Sequence, residues 1–199
     1  MSEIAQLHLQ YKGERTYLHG TDIYTAVNEL AGSLLNGYVS RIAFRKVAQQ
    51  ALIVVDALSE ARGEAVADVT VASKADNAVL AKWWLVETET AVAGRYPYEE
   101  QLIARACNVD LQGRRLSKSR NTDFSLIEEI VAAHKVLCRA LAADADGRWL
   151  FAQLQLSAPL EQQVSTIEQI NTAMLNGRMA ASDLKLDGTK VGTIRFMRG

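Results

Sequence analysis

The side chains that could carry out acid–base chemistry stand at two similar places in the chain. His19 comes three residues before Asp22, and Asp123 belongs to a second Thr-Asp pair 101 residues later. A histidine exchanges protons near neutral pH, and an aspartate can act as a general base or as a nucleophile. Surface turns and helix caps use the same residue types. Both roles therefore stay open for His19, Asp22 and Asp123.

Further candidates lie on the two helix-patterned runs that follow these aspartates. Glu29 falls on the first run, and Glu128 and Glu129 fall on the second. One of them could serve as an acid–base partner if it faced a site, whereas a carboxylate that faces solvent would serve solubility alone. His134 stands on the apolar stripe of the second run, which favours a buried, hydrogen-bonded histidine over a catalytic one.

Several classes of site are excluded by the sequence. It has no phosphate-binding glycine loop, no metal-ligand spacing and no Gly-x-Ser-x-Gly elbow. Cys107 and Cys138 are too few for a disulfide framework or a metal site, and we expect small buried apolar side chains there. We therefore expect no metal and no cofactor, and either acid–base chemistry or no chemistry.

Composition limits the partners. The 199 residues are 49% hydrophobic and carry a formal net charge of −1, so a sizeable core fits and a broad basic surface for nucleic acid does not. Arg114, Arg115, Lys118 and Arg120 form the densest basic cluster, which we interpret as a solvated hairpin. No signal peptide and no membrane-length apolar run is present, so we expect a cytoplasmic protein without membrane contact.

The first half predicts a hairpin, one helix and strands. Residues 7–11 alternate in polarity, turn at Lys12-Gly13-Glu14 and return as residues 15–18. Thr21 or Asp22 is the expected N-cap of a helix that ends near Asn36-Gly37. Strands are expected at 42–47, 51–55, 66–72 and 78–86. Because Trp83 and Trp84 are adjacent on the last of these, one should enter the core and the other an interface or pocket.

The second half predicts the same order. A longer apolar stripe runs from Phe124 to Leu141 and ends at the turn 144–147. Strands begin at residue 149, and the ambiguous run 164–176 is favoured as a strand by comparison with the first half. Asp187-Gly188 between alternating apolar residues predicts a closing hairpin. With the proline-containing join at 92–98, the chain divides into units 1–92 and 93–199.

The repeat unit, one long helix followed by an antiparallel meander with a short hairpin in front, resembles the hotdog fold of β-hydroxyacyl-ACP dehydratases and acyl-CoA thioesterases. Residues 40–48 followed by 52–55 look like the dehydratase pattern of an apolar-x-Phe-basic strand, a turn and a second strand. Residues 181–194 look like that family's closing hairpin. The resemblance implies an α+β fold of two tandem hotdog-like units, each a sheet wrapped around one helix, related as a pseudo-two-fold dimer within the chain.

The resemblance also implies a function. It predicts a groove between the Asp22 and Asp123 helices, in which a thioesterase or 3-hydroxyacyl dehydratase acts on acyl-CoA or an acyl carrier protein of fatty acid or polyketide metabolism. The catalytic candidates are then His19, Asp22, Glu29, Asp123 and Glu129, and the substrate-binding candidates are Gly20, Arg45 and Lys46. A homodimer of such chains is a further expectation. Only the first half has a histidine at its helix start. We therefore expect the groove to be catalytically competent at the start of the Asp22 helix and degenerate at the start of the Asp123 helix.

A non-catalytic module is the alternative. Dehydratases carry a proline-rich loop after the active-site histidine, and no proline follows His19 before the helix. A hotdog-like scaffold that has lost its catalytic groups would bind an acyl chain, a small ligand or a partner protein, since fold does not imply function.

Overall fold

The computed structural model describes residues 3–56, 65–121, 123–143 and 146–199. Two compact units divide the chain, Met1–Tyr98 and Glu99–Gly199, so the boundary falls six residues after the one expected from the sequence. Thr122 of the second Thr-Asp pair and residues 144–145 of the expected helix-ending turn lie outside the described residues.

Unit 1 is built on one long helix and an antiparallel sheet. Its elements are β1 (Glu3–Leu7), β2 (Tyr11–Lys12), α1 (Gly20–Leu35), β3 (Gly37–Phe44), β4 (Gln50–Val55), β5 (Ala67–Ser73), β6 (Val79–Ala91) and β7 (Arg95–Tyr96). The sheet order is β1-β4-β6-β5-β3, and the short strands β2 and β7 pair with each other in parallel. The core is formed where the apolar face of α1, with Ile23, Val27 and Ala31, is buried.

Unit 2 has a short helix, a long helix and a second antiparallel sheet. Its elements are α2 (Glu100–Arg105), β8 (Asn108–Asp110), β9 (Arg115–Ser119), α3 (Leu126–Leu141), β10 (Trp149–Leu156), β11 (Thr166–Leu175), β12 (Met179–Leu186) and β13 (Thr189–Arg198). The strands follow the order β10-β13-β12-β11-β9-β8. Nearly every residue of α3 that faces inward is apolar and buried, which explains its position against the sheet.

The strand order differs between the units, and the predicted meander is correct for unit 2 alone. There β11, β12 and β13 are consecutive neighbours. In unit 1, β4 lies between β1 and β6, so the chain leaves β4 and returns two positions away as β5. The physical reason is burial: residues 52–55 of β4 are buried on both faces, which suits an inner strand with neighbours on each side.

The expected hairpin at the start of unit 1 is wrong. β1 pairs with β4, β2 pairs with β7, and residues 15–18 form no strand. In unit 2 the hairpin in front of the helix does exist, as β8 and β9.

Both predicted helix starts are displaced. α1 begins at Gly20 with His19 in the N-cap position, so Thr21 and Asp22 lie inside the first turn. α3 begins at Leu126 and is capped by Ser125, two residues after Asp123. The end of α1 is as predicted, because Asn36 adopts a left-handed conformation with φ of 48° and Gly37 starts the next strand.

Several strand predictions are confirmed. The ambiguous run 164–176 contains β11, and Asp187-Gly188 closes the β12–β13 hairpin with φ values of 47° and 78°. Trp83 is buried in the core, as expected, and Trp84 packs on Ile53, Val55 and Val86 from the other face of β6, while an interface or pocket at Trp84 stays a prediction. In the described part of the chain, no helix combines the length and apolar character that crossing a bilayer requires.

Candidate functional site

A fully buried lysine stands beside the first turn of α1. The side chain of Lys12, on β2, has no exposed surface, and its Nζ donates to Asp22 Oδ1 at 2.8 Å and to Thr21 Oγ1 at 3.2 Å. The aromatic ring of Tyr98 lies 4.3 Å from the same Nζ, which adds a cation–π contact. A buried ammonium group requires such partners because the interior solvates charge poorly. Lys12 therefore ties β2 to α1.

Three donors occupy the Asp22 carboxylate. Lys12 and Thr21 both donate to Oδ1, the latter at 3.1 Å, and the Tyr96 hydroxyl donates to Oδ2 at 2.6 Å. β2 and β7 pair in parallel, which places Lys12 and Tyr96 side by side in register. A carboxylate whose oxygens are committed to protein donors is a poor nucleophile, so the geometry favours a positioning role for Asp22.

The hydroxyl of Thr21 links this carboxylate to His19. His19 Nδ1 lies 2.6 Å from Thr21 Oγ1. The single hydroxyl proton of Thr21 is donated to Asp22, so Thr21 Oγ1 accepts from Lys12 and from His19. These contacts of Thr21 Oγ1 are satisfied when Nδ1 carries the ring proton of the neutral histidine. Nε2 is then the nitrogen that can accept a proton. His19 as a whole residue is 8% exposed.

The start of α1 has no side-chain cap. Asp22 N and Ile23 N both donate to the carbonyl of His19, whereas the amide groups of Gly20 and Thr21 have no acceptor among the described residues. Free N–H groups at a helix start can bind a developing negative charge. The start of α1 therefore combines a proton acceptor, the His19 imidazole, with two amide donors, those of Gly20 and Thr21.

Unit 2 has a similar lysine–carboxylate pair at the start of α3, and that pair is fully buried. Lys118 and Arg120 both donate to Glu129, and the Glu129 side chain is fully buried. Asn121 N donates to the same carboxylate at 2.9 Å. The predicted solvated hairpin is thus wrong for Lys118 and Arg120, whose side chains are 0% and 8% exposed. The catalytic role of Glu129 stays a prediction, one that these donors disfavour.

The cap of α3 completes the contrast with α1. Ser125 Oγ accepts from the Glu128 amide, and the Glu128 carboxylate accepts from the Ser125 amide at 2.7 Å. This reciprocal capping box satisfies the amides of Ser125 and Glu128, and α1 has no such side-chain cap.

The remaining predicted site residues lie apart from this cluster. Glu29 is exposed on α1, and Asp123 is exposed before α3. Arg45 lies 3.6 Å from Asp68, and Lys46 lies 3.1 Å from Glu87. Both cations are about half exposed, and their role in substrate binding stays a prediction.

His134 and Cys138 are buried in unit 2, as expected, whereas Cys107 is only partly buried. Gln169 Oε1 lies 3.0 Å from His134 Nδ1, and Gln169 Nε2 donates to the Ile130 carbonyl. Burial lowers the pKa of His134 to about 4 and raises the pKa of Cys138 to about 12. Both cysteines are free, and no cluster of potential metal ligands occurs among the described residues.

The sequence pattern predicts that His19, Gly20 and Asp22 lie together. It does not indicate Lys12, Thr21 and Tyr96 as their partners. The missing signal was available in the repeat: a lysine precedes each helix acid by similar spacing, Lys12 before Asp22 and Lys118 before Glu129. The contribution of Tyr96 has no signal in the sequence, because it depends on the parallel pairing of β2 with β7.

No protein-family model and no curated protein matches the sequence. Among solved structures, the chain is similar to the dehydratase domain of the polyketide PpsC from Mycobacterium tuberculosis, with a TM-score of 0.50 and 10% identity over 92% of this chain and 84% of that chain. A bifunctional dehydratase-cyclase domain in ambruticin biosynthesis is similar at a TM-score of 0.46 and 18% identity, over 92% and 82% of the two chains. A tesB protein from Mycobacterium avium subs paratuberculosis is similar at 0.46 and 11% identity, over 95% and 89%.

The likeness to the PpsC domain concerns the fold. At 10% identity over nearly the whole chain, it confirms the hotdog fold that the sequence analysis predicted.

Proposed function

We propose that the chain hydrolyses an acyl thioester, carried by coenzyme A or by an acyl carrier protein, at the start of α1. The observation that carries the proposal is the contact of His19 Nδ1 with Thr21 Oγ1 at the start of α1, where the amides of Gly20 and Thr21 have no acceptor among the described residues. The substrate class comes by analogy from the fold, which the PpsC dehydratase domain shares.

The proposed reaction needs one base and one anion site. His19 Nε2 takes a proton from water while the water oxygen attacks the thioester carbonyl carbon. The carbonyl oxygen becomes an oxyanion, which the amides of Gly20 and Thr21 stabilise. When the carbon–sulfur bond breaks, the protonated His19 gives its proton to the thiolate, and a carboxylic acid and a thiol are released. Lys12, Asp22 and Tyr96 position Thr21 and, through it, the imidazole.

The hydrogen bonds that Asp22 accepts favour hydrolysis over dehydration. A 3-hydroxyacyl dehydratase removes a proton from the carbon next to the carbonyl and must also protonate the departing hydroxyl. Asp22 accepts from three donors and offers no proton of its own for that step. A single histidine suffices for hydrolysis, because the proton that it takes from water returns to the thiolate.

The test is a panel of acyl-CoA thioesters from short to long chains, with thiol release as the measure of hydrolysis and loss of the enoyl absorbance as the measure of hydration. We expect hydrolysis and a loss of about 10²- to 10⁴-fold in kcat for His19→Gln. The matched control is His8→Gln, an exposed histidine outside the site, which should keep full activity. Full turnover by His19→Gln would refute the mechanism.

A non-catalytic binding module is the second candidate, and the low exposure of His19 favours it. A nearly buried imidazole gives a substrate little access. Native mass spectrometry of the purified protein distinguishes the two: a co-purified acyl species together with no turnover across the panel would support the binding role.

A further inference from the structure

A half-buried tyrosine lies beside the buried lysine and the histidine at the start of α1. Tyr98 follows β7 by two residues, and the centroid of its ring lies 4.3 Å from Lys12 Nζ and 5.9 Å from the centroid of the His19 imidazole. Arg15 Cζ lies 5.4 Å from the same centroid. These distances are within the ranges of cation–π and aromatic contacts. One ring therefore neighbours both the buried cation and the imidazole.

The backbone beside Tyr98 is fixed by the parallel pair β2–β7. Gly13 N donates to the Tyr96 carbonyl at 2.8 Å, which extends the pairing of Lys12 with Tyr96 by one residue. Gly13 has a φ of +58°, and a Cβ at Gly13 would lie 3.8 Å from Tyr98 Cβ. The turn after β2 thus packs against Tyr98. The pairing that places Lys12 beside Tyr96 also determines where the Tyr98 ring lies.

The ring holds the Lys12 ammonium group from a second direction. Thr21 Oγ1 accepts from Lys12 Nζ at 3.2 Å, and the Tyr98 ring lies over the same Nζ. The face of an aromatic ring attracts a cation most strongly where water is absent, and the Lys12 side chain has no exposed surface. The ring therefore helps to keep Nζ at the Thr21 hydroxyl, which is the group that contacts His19 Nδ1.

The ring also gives the His19 imidazole a second neighbour. The contact of His19 Nδ1 with Thr21 Oγ1, at 2.6 Å, restrains the imidazole at one atom. The plane of the Tyr98 ring is tilted by 48° to the imidazole, and attractive aromatic pairs have centroids about 4.5 to 7 Å apart. A contact on the ring in addition to the one at Nδ1 restricts rotation of the imidazole. The direction of Nε2 is then fixed from two sides.

The lysine of unit 2 has different surroundings. Lys118 donates to Glu129 and to the Ser119 carbonyl, and no aromatic ring of the described residues lies within cation–π range of its ammonium group. An aromatic ring thus accompanies the lysine only in the unit that has a histidine at its helix start.

We propose that Tyr98 is a positioning residue for the hydrolysis proposed above, and that its aromatic ring, through Lys12 and Thr21 and by direct contact, fixes the direction of His19 Nε2. The kinetic consequence rests on the proposed function, whereas the orientation of the imidazole does not. The contacts to Lys12, Arg15 and His19 are made by the ring of Tyr98. Tyr98→Phe should therefore keep the positioning role, and Tyr98→Leu should lose it.

Relaxation of the imidazole ¹³Cε1 nuclei, measured by NMR on the whole chain, tests the orientation without reference to turnover. The chain has three histidines, and the signal that disappears in His19→Gln identifies His19. We expect similar order parameters for His19 in the parent and in Tyr98→Phe, and a lower one in Tyr98→Leu, because the imidazole rotates more freely there. An unchanged order parameter in a folded Tyr98→Leu variant would overturn the proposal.

Fluorine substitution separates the attraction of Lys12 from the filling of space. Phenylalanine with no, two or three ring fluorines is incorporated at position 98, and each fluorine withdraws electrons from the ring face while the shape changes little. We expect kcat on the thioester panel to fall stepwise, by about fivefold in total, with KM within about twofold of the parent and the His19 order parameter falling in the same sequence.

The two proposals fail in different ways. Equal kcat and equal order parameters across the fluorinated series would show that the ring only fills space, which contradicts the positioning role. A parent chain without turnover would refute the reaction, and the order parameters would still decide the role of Tyr98.

Discussion

The ammonium group of Lys12 lies 2.8 Å from Asp22 Oδ1 inside unit 1, and Lys118 contacts Glu129 at the matching place in unit 2. Each pair joins a strand that precedes the long helix to the beginning of that helix. The two pairs differ in their surroundings: Arg120 and a capping box close the second, whereas His19 and an uncapped helix start accompany the first. A lysine–carboxylate pair thus anchors both helices, and of the two pairs the one in unit 1 lies beside a histidine and an uncapped helix start.

Removal of the Lys12 charge should destabilise the protein strongly. In Lys12→Met the Asp22 carboxylate, which is 15% exposed, loses its cation. Breaking a buried pair in this way costs about 3 to 5 kcal/mol of unfolding free energy, because one charge stays buried without compensation. Urea denaturation measures the loss, and Lys12→Met combined with Asp22→Leu should recover much of it.

The chain provides a matched control for that experiment. Lys190 and Asp183 also lie 2.8 Å apart, but the lysine side chain is 55% exposed. Lys190→Met should cost less than about 1 kcal/mol, since water screens the pair. Similar losses for the two lysine variants would show that burial does not control the Lys12 pair.

The Thr21 hydroxyl should determine which His19 nitrogen carries the proton. In the intact protein, imidazole ¹⁵N NMR should show the neutral ring protonated at Nδ1. Thr21→Val removes the acceptor while keeping the shape, and we expect a mixture of the two tautomers and about a tenfold lower kcat with little change in KM. Thr21→Ser should restore both properties. A ring protonated at Nε2 in the intact protein would contradict the assigned network.

Acid should destabilise the fold through His134. Burial lowers the pKa of this histidine from 6.5 to about 4, because the charged ring is poorly solvated in the core. The unfolded chain therefore takes up the proton first as the pH falls. The contribution of His134 is complete above about pH 6.5 and declines toward pH 4, by about 3 kcal/mol in all.

Chemical denaturation at several pH values measures this effect. In His134→Gln the slope of unfolding free energy against pH should be smaller between pH 4.5 and 6.5, while His8→Gln, at an exposed position, should keep the parental slope. Equal slopes for all three proteins would mean that His134 does not titrate abnormally.

Two glycines should respond in opposite directions to replacement by alanine. A Cβ on Gly192 would lie 2.1 Å from the Gln155 carbonyl oxygen, so Gly192→Ala must push β13 away from β10. We expect a loss of about 2 kcal/mol or more. Gly32 is inside α1 with its nearest neighbours at 3.9 Å, and Gly32→Ala should stabilise by about 0.5 to 1 kcal/mol. Thermal unfolding of the two variants gives the sign of each effect.

Local patterns determined much of the secondary structure. The 3.6-residue stripes of the two long helices, the left-handed end at Asn36 and the Asp187-Gly188 turn depend on neighbouring residues, so the sequence alone predicts them. The place of His19 at a helix start was also predictable, because a capping region is a short-range feature. Even there the first helical residue was displaced, since Thr21, Asp22 and His19 are all acceptable near a cap and only the hydrogen bonds decide among them.

Tertiary structure alone decided the partners. Lys12 and Tyr96 meet at Asp22 because β2 pairs in parallel with β7, a contact across 84 residues that no periodicity encodes. Contacts with elements distant in the sequence also determine the inner position of β4 and the burial of Glu129. Alternation and helical spacing report which face of an element is buried, but they carry no information on which distant element covers it. The order of strands and the environment of each charge therefore follow from long-range packing, and with them the difference between the open helix start of unit 1 and the closed one of unit 2.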